Sequence, residues 1–84
     1  MVIQPERNSR MREKILEVLK EQNEEIVEDL DRDLLTSGIL DSFDIVNLVV
    51  MLEEALSINI DVEMVTPENF QTAGSIIRML EGIM

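Results

Sequence analysis

Apolar residues recur at helical spacing near the start of the chain. Met11, Ile15 and Leu19 lie four residues apart, with polar residues between them. Residues spaced in this way share one face of an α-helix, so the pattern predicts an amphipathic helix with a polar outer face. Pro5 suits a first turn, where its missing N–H has no intrahelical partner. We predict a helix from about Pro5 to Gln22.

A second apolar helix is predicted from Ser42 to about Leu56. Asp41 is a suitable N-cap, and Asp44 three residues later forms a short-armed capping box with it. The inward face of this helix is a stripe of apolar residues at helical spacing: Ile45, Leu48, Val49, Leu52 and Leu56.

Three apolar residues of this helix, Phe43, Val46 and Val50, fall outside the inward stripe. They are predicted to cover the outer surface, which is unusual for a soluble monomer. Glu53-Glu54 follow near the helix end, where acidic side chains oppose the macrodipole and add little stability. A partner-facing role for this pair is open, although a solvated edge is the commoner explanation for each residue alone.

The remaining segments are shorter. Residues 23–41 are acidic and lack a helical period, but their scattered leucines and isoleucines predict an ordered loop that lies over the core. Residues 57–61 have no partner strand and are predicted to form an extended link. Thr66-Pro67 predicts the start of a short helix that ends near Phe70. Thr72 is predicted to cap a last helix, which buries these apolar residues: Ile76, Ile77, Leu80 and Ile83 or Met84.

The predicted fold class is therefore all-α. We expect a small four-helix bundle, with three main helices, one short helix and a long ordered loop after the first helix. A length of 84 residues predicts one domain that spans residues 1–84.

Composition narrows the classes of function. The net charge is -11, and residues 22–84 hold fourteen acids but only two bases, Arg32 and Arg78. Such a surface repels nucleic acid and anionic membranes and attracts basic protein surfaces. No segment is long and apolar enough to insert into a membrane, and the N-terminus lacks a secretory apolar core. We expect a cytoplasmic monomer.

Ser42 is the most conspicuous candidate for chemistry. A serine nucleophile needs a nearby base, but the chain has no His, and both lysines lie in the first helix. We therefore do not expect an enzyme or a catalytic residue. On spacing alone Ser42 is an ordinary helix-start residue, although a phosphoryl group would be tolerated there by the helix amides and dipole.

A metal site is not expected. Asp29, Asp31 and Asp33 begin like a calcium loop, but the sixth position is Leu34 and the twelfth is Leu40. The glycine that allows the sharp turn and the bidentate acid are therefore both missing. A solvated acidic loop is the better interpretation.

Taken together, several motifs resemble the acyl carrier protein family from about Leu34 to Leu80. Asp-Ser stands at the start of an apolar helix, and Leu-Glu-Glu follows ten residues later. The matching segments are Leu34-Leu35, Gly38-Ile39-Leu40-Asp41-Ser42-Phe43, Val46, Leu48-Val49, Leu52-Glu53-Glu54 and Pro67-Glu68-Asn69-Phe70-x-Thr72.

The resemblance implies that Ser42 carries a covalent 4'-phosphopantetheine. A phosphopantetheinyl transferase would install it from coenzyme A, and its thiol would hold an acyl or aminoacyl group as a thioester. The other partners would be an acyl- or aminoacyl-activating ligase and downstream transferases or synthases. The residues implied in partner recognition surround the serine: Asp41, Phe43, Val46, Val50, Glu53 and Glu54.

The sequence departs from fatty-acid carriers in this region. Phe43 replaces the usual Leu or Met, and Asn47 and Ala55 are neutral where acids are common. The Gly-Ile-Leu-Asp-Ser phrase is similar to stand-alone carriers, such as those of D-alanine or of peptide and polyketide pathways. The alternative is an unmodified acidic helical adaptor that binds partners through the surface near Val46 and Val50.

Overall fold

The computed structural model describes residues 4–83, with side chains from Arg10 to Ile83. Its α-helices, in chain order, are α1 (Gln4–Gln22), α2 (Glu25–Glu28), α3 (Ser42–Leu56), α4 (Pro67–Phe70) and α5 (Ala73–Ile83). A 3-10 helix, Val62–Met64, precedes α4. The all-α fold with three main helices is thus confirmed, while α2 and the 3-10 helix were not predicted. None of the described helices has the length and apolar character needed to span a membrane.

Helix α1 packs against α2, α3 and α5, and α4 packs against α5. The predicted faces explain this arrangement, because Ile15 and Leu19 of α1 and Leu48 and Leu52 of α3 are all fully buried. The rest of the described core is also apolar: Val18, Ile26, Leu34, Leu40, Ile60, Phe70, Ala73, Ile76, Ile77, Met79 and Leu80. No polar or charged residue is buried within this part of the chain.

The predicted inward stripe of α3 packs against the core, although Ile45, Val49 and Leu56 are only half-buried. One prediction about the loop needs correction. Leu30 is 40% exposed, although its carbonyl accepts a hydrogen bond from the backbone N–H of Gly74 (3.0 Å). The backbone of Leu30, not its side chain, therefore ties the loop to α5. The predicted burial of Met84 lies outside the described residues.

The loop between α1 and α3 is ordered, as predicted. Ile26, Leu34 and Leu40 are buried, and the backbone N–H of Leu34 donates to the carbonyl of Gln71 (2.7 Å). Gly38 adopts a φ of +83°, a conformation that side chains disfavour. The loop thus returns the chain over the core to the start of α3.

Candidate functional site

The start of α3 is held by a reciprocal capping box. The backbone N–H of Asp44 donates to Oδ1 of Asp41 (2.9 Å), and the backbone N–H of Asp41 donates to Oδ2 of Asp44 (3.1 Å). Both interactions had been expected from the sequence, and they satisfy amides that an uncapped helix leaves free. The box fixes where α3 begins.

Ser42 is the first residue of α3 and is exposed. Among residues 10–83 its hydroxyl has no hydrogen-bonding partner, since the two flanking carboxylates bond to backbone amides. Neither flanking carboxylate is hydrogen-bonded to the hydroxyl, so neither is placed to accept its proton. The arrangement presents an exposed hydroxyl at a capped helix start.

An open cleft of about 430 Å³ lies beside Ser42, between the start of α3 and the segment before α4. Its lining is mostly apolar: Leu35, Gly38, Leu40, Asp41, Ser42, Ile45, Val65, Thr66 and Pro67. Whether Ile45, Val65 and Phe70 together shelter a cargo could not be read from the sequence. Ile45 and Val65 do line this cleft, whereas Phe70 is fully buried in the core.

The apolar residues on the outside of α3 form one stripe. Phe43, Val46 and Val50 follow at spacings of three and four residues and are 86%, 63% and 47% exposed. Glu54 continues the stripe and is also exposed. We call these four residues the α3 stripe. The sequence analysis did not identify Val62 of the 3-10 helix as an exposed apolar residue, although it is 80% exposed. Its position between two acids, Asp61 and Glu63, could have indicated this exposure.

Two of the predicted recognition residues have structural contacts of their own. Asp41 belongs to the capping box, and Oε2 of Glu53 accepts from the backbone N–H of Ile60 (2.8 Å). Glu53 thereby ties the end of α3 to the extended link. Its role in partner recognition stays a prediction, and Glu54 is the member of the pair whose carboxylate has no such bond within the described chain.

Two of the three aspartates that resemble a calcium loop, Asp29 and Asp33, accept hydrogen bonds from within the protein instead. Oδ1 of Asp29 accepts from the backbone N–H of Asp31 (3.0 Å), and Oδ1 of Asp33 accepts from those of Leu35 and Thr36 (3.0 and 2.8 Å). Oδ2 of Asp33 accepts from Nε2 of Gln71 (2.9 Å). Within the described residues no acidic cluster is arranged to hold a metal ion.

These bonds give a pH-dependent prediction. The hydrogen bond from the Thr36 backbone, followed by that from the Gln71 side chain, lowers the pKa of Asp33. The ionised carboxylate therefore stabilises the fold at neutral pH, and this stabilisation is lost as pH falls below about 4, through the lowered pKa. We expect Asp33→Asn to lower the urea midpoint at pH 7, and the difference from the wild type to shrink as pH falls below about 4. A difference that does not shrink with falling pH would contradict this account.

The charge around the site has one sign. From Asp33 to Ile77, with both ends included, the sequence has eight acids and neither Lys nor Arg. The segment contains Ser42, the cleft, α3 and α4, so a molecule that approaches the site meets a negative field. Such a field speeds encounter with basic surfaces more than it strengthens the complex.

Comparison with known proteins identifies the family of the chain. Residues 9–80 match the family described as "Phosphopantetheine attachment site". The chain is 35% identical over 74 residues to the D-alanyl carrier proteins of Bacillus mycoides (strain KBAB4) and Bacillus cereus (strain B4264). These alignments cover 86% of this chain and 94% of each relative. No solved structure matches significantly. The chain therefore belongs to the family of phosphopantetheine carrier proteins and bears a covalently attached 4'-phosphopantetheine.

Proposed function

We propose that the Ser42 hydroxyl is the attachment point and that the chain carries aminoacyl groups of the D-alanyl kind. The observation that carries the proposal is the exposed, unbonded hydroxyl at the first residue of α3, inside the region that matches the family. The Bacillus relatives, which are named as D-alanyl carriers, support an aminoacyl cargo over other acyl groups. Their family also favours a carrier over an unmodified adaptor.

The site fits a phosphodiester. A helix start offers backbone amides and the positive end of the dipole to a phosphoryl group. The negative charges of Asp41 and Asp44 are partly offset, because both carboxylates accept hydrogen bonds from backbone amides. The apolar cleft beside Ser42 offers a surface along which a flexible arm can lie. The thiol of the bound arm supplies the chemistry, since it holds the cargo as a thioester.

The chain itself contributes position and recognition, not catalysis. Ser42 depends on a phosphopantetheinyl transferase for its activation, because neither flanking carboxylate is hydrogen-bonded to its hydroxyl. An ATP-dependent ligase would then load the cargo, and transferases would remove it. These partners and coenzyme A are consistent with a cytoplasmic protein, which we expect to be monomeric.

The test uses the absence of cysteine from the sequence. Incubation with coenzyme A, magnesium and a broad-specificity transferase should add the mass of one phosphopantetheinyl group and one titratable thiol. Fragment masses should locate it at Ser42. The product should then accept D-alanine from a D-alanine-activating ligase. No mass gain would contradict attachment, and loading by other acyl groups alone would contradict the aminoacyl cargo.

The α3 stripe is proposed to receive these partners. Glu54 lies in the last turn of α3, where a cation suits the dipole, so Glu54→Lys should raise the free energy of unfolding by about 0.3–1 kcal/mol. The same change should slow transferase encounter several-fold at low salt and less at high salt. Val46→Asp should slow modification at both salt concentrations, since it removes apolar contact.

The matched control is Glu13→Lys, the same charge change at an exposed residue of α1. Stopped-flow or discontinuous rate measurements at two ionic strengths would separate local from overall charge. Equal slowing by both lysine substitutions would show that net charge, not the α3 stripe, sets the rate.

A further inference from the structure

Gln22, the last residue of α1, bridges to the start of α3. Its Nε2 donates to Oδ1 of Asp44 (3.2 Å), and its Oε1 accepts from Nδ2 of Asn47 (2.9 Å). We call this three-residue contact the Gln22 clasp. We infer that the clasp holds the first turn of α3 in the conformation in which Ser42 is modified, so that Gln22 is a positioning residue. This inference rests on the proposed role of Ser42.

The orientation of the Gln22 amide is set by its neighbours. An ionised aspartate only accepts hydrogen bonds, and the amide nitrogen of Asn47 only donates them. Only one orientation of the Gln22 amide therefore satisfies both partners, with nitrogen toward Asp44 and oxygen toward Asn47. The side chain is also half-buried, which limits competition from water. Position 22 therefore requires a side chain that donates a hydrogen bond to Asp44 and accepts one from Asn47.

The clasp continues directly into the capping box. The carboxylate of Asp44 accepts from Gln22 through Oδ1 and from the backbone N–H of Asp41 through Oδ2. One carboxylate therefore joins the end of α1 to the residues on both sides of Ser42. A first helical turn has unpaired amides and frays readily, so a tie at this point raises the fraction of molecules in which the turn is formed.

The clasp also closes the long loop at its base. Residues 23–41 connect α1 to α3, and Gln22 and Asp44 lie just outside the two ends of that loop. Among the described residues, the other side-chain hydrogen bond between α1 and α3 lies at the far end of α3, from Nζ of Lys14 to the carbonyl of Ala55 (3.5 Å). Near Ser42, the polar contact between the two helices is therefore the clasp.

A positioning role has a kinetic signature. If a transferase binds only molecules with the first turn formed, loss of the clasp lowers the binding-competent fraction and raises the apparent KM. The bound complex has the turn formed in either case, so kcat should change little. We expect Gln22→Glu, which sets a carboxylate against Asp44, to raise the KM for the apo-protein about two- to fivefold. Gln22→Met, which keeps the length but removes the bonds, should do the same.

A complementary exchange provides the rescue. In the double variant Gln22→Glu/Asp44→Asn, donor and acceptor trade places: the new carboxylate can accept from the new amide and from Asn47. The amide oxygen at position 44 can still accept from the Asp41 backbone. The double variant should therefore restore KM toward the wild-type value. Such a non-additive effect of two substitutions indicates direct coupling between the two side chains, which a general loss of stability would not produce. Hydrogen exchange of the Asp44 and Ile45 amides should quicken in Gln22→Glu and recover in the double variant.

Gln71→Met is the matched control, because it removes the other glutamine–aspartate side-chain bond, from Nε2 of Gln71 to Oδ2 of Asp33. It should leave KM unchanged even if it lowers stability. If the wild type is modified and neither Gln22 variant raises KM, or if Gln71→Met raises it equally, the positioning role is overturned while Ser42 remains the attachment site. If the wild type is not modified at all, the proposed function fails and this inference fails with it.

Discussion

Ser42→Ala is expected to abolish attachment of phosphopantetheine while it changes the free energy of unfolding by less than about 0.5 kcal/mol. The hydroxyl is the proposed nucleophile toward coenzyme A and has no substitute in the site. It makes no hydrogen bond within residues 10–83, and the cap of α3 belongs to Asp41 and Asp44. Its removal should therefore cost function and almost no stability.

The measurement is intact mass after incubation with coenzyme A and the transferase, alongside urea denaturation of the same sample. Ser37→Ala is the control, because Ser37 is another exposed serine, five residues earlier in the loop. That variant should gain the full mass of the arm. If Ser42→Ala gained the arm as well, the attachment site would lie elsewhere. If it unfolded, the hydroxyl would have a structural role that the geometry does not reveal.

Phe70→Ala is expected to be the most destabilising of the substitutions considered, at about 3–5 kcal/mol. Phe70 is fully buried at the end of α4. The lost stability has two parts. One is the transfer free energy of the ring, and the other is the free-energy cost of the cavity that neighbouring side chains cannot fill. Small domains have only about 5–15 kcal/mol of stability, and a chain of 84 residues lies toward the lower end. The substitution would therefore remove much of the free energy of unfolding.

The chain supplies its own comparison, since its only other phenylalanine, Phe43, is 86% exposed. Phe43→Ala should change stability by less than about 0.5 kcal/mol and affect only encounter with partners. Urea denaturation followed by circular dichroism suits both variants, because the chain has no Trp or Tyr to report by fluorescence. Equal losses from the two substitutions would contradict the packing described here.

The sequence predicted best where local chemistry determines structure. Asp41 and Asp44 form a reciprocal cap at a fixed spacing, so the start of α3 followed from two residues. Thr66 and Pro67 mark the start of α4 in the same way, through a side-chain cap and a preset backbone angle. The exposed positions of Phe43 and Val46 followed from helical periodicity alone.

The sequence predicted least where one contact joins distant residues. Nothing near Gln22 indicates that its amide meets Asp44, twenty-two residues later, because that contact depends on how α1 packs against α3. Helix α2 has only four residues and one buried side chain, Ile26. A helix of that length is too short to show a helical period in the sequence. The left-handed conformation of Ser57 at the end of α3 was also hidden, since glycine is the usual residue there.

The absence of lysine from the segment that contains Ser42 has a chemical consequence for whatever the arm carries. Thioesters undergo aminolysis by primary amines, whereas carboxylates and neutral amides are poor competitors. From Asp33 to Ile77 the chain offers no ε-amine, and its two lysines, Lys14 and Lys20, both lie in α1. We expect a thioester that lies over this segment to meet no ε-amine of the segment, which should slow its loss by self-acylation.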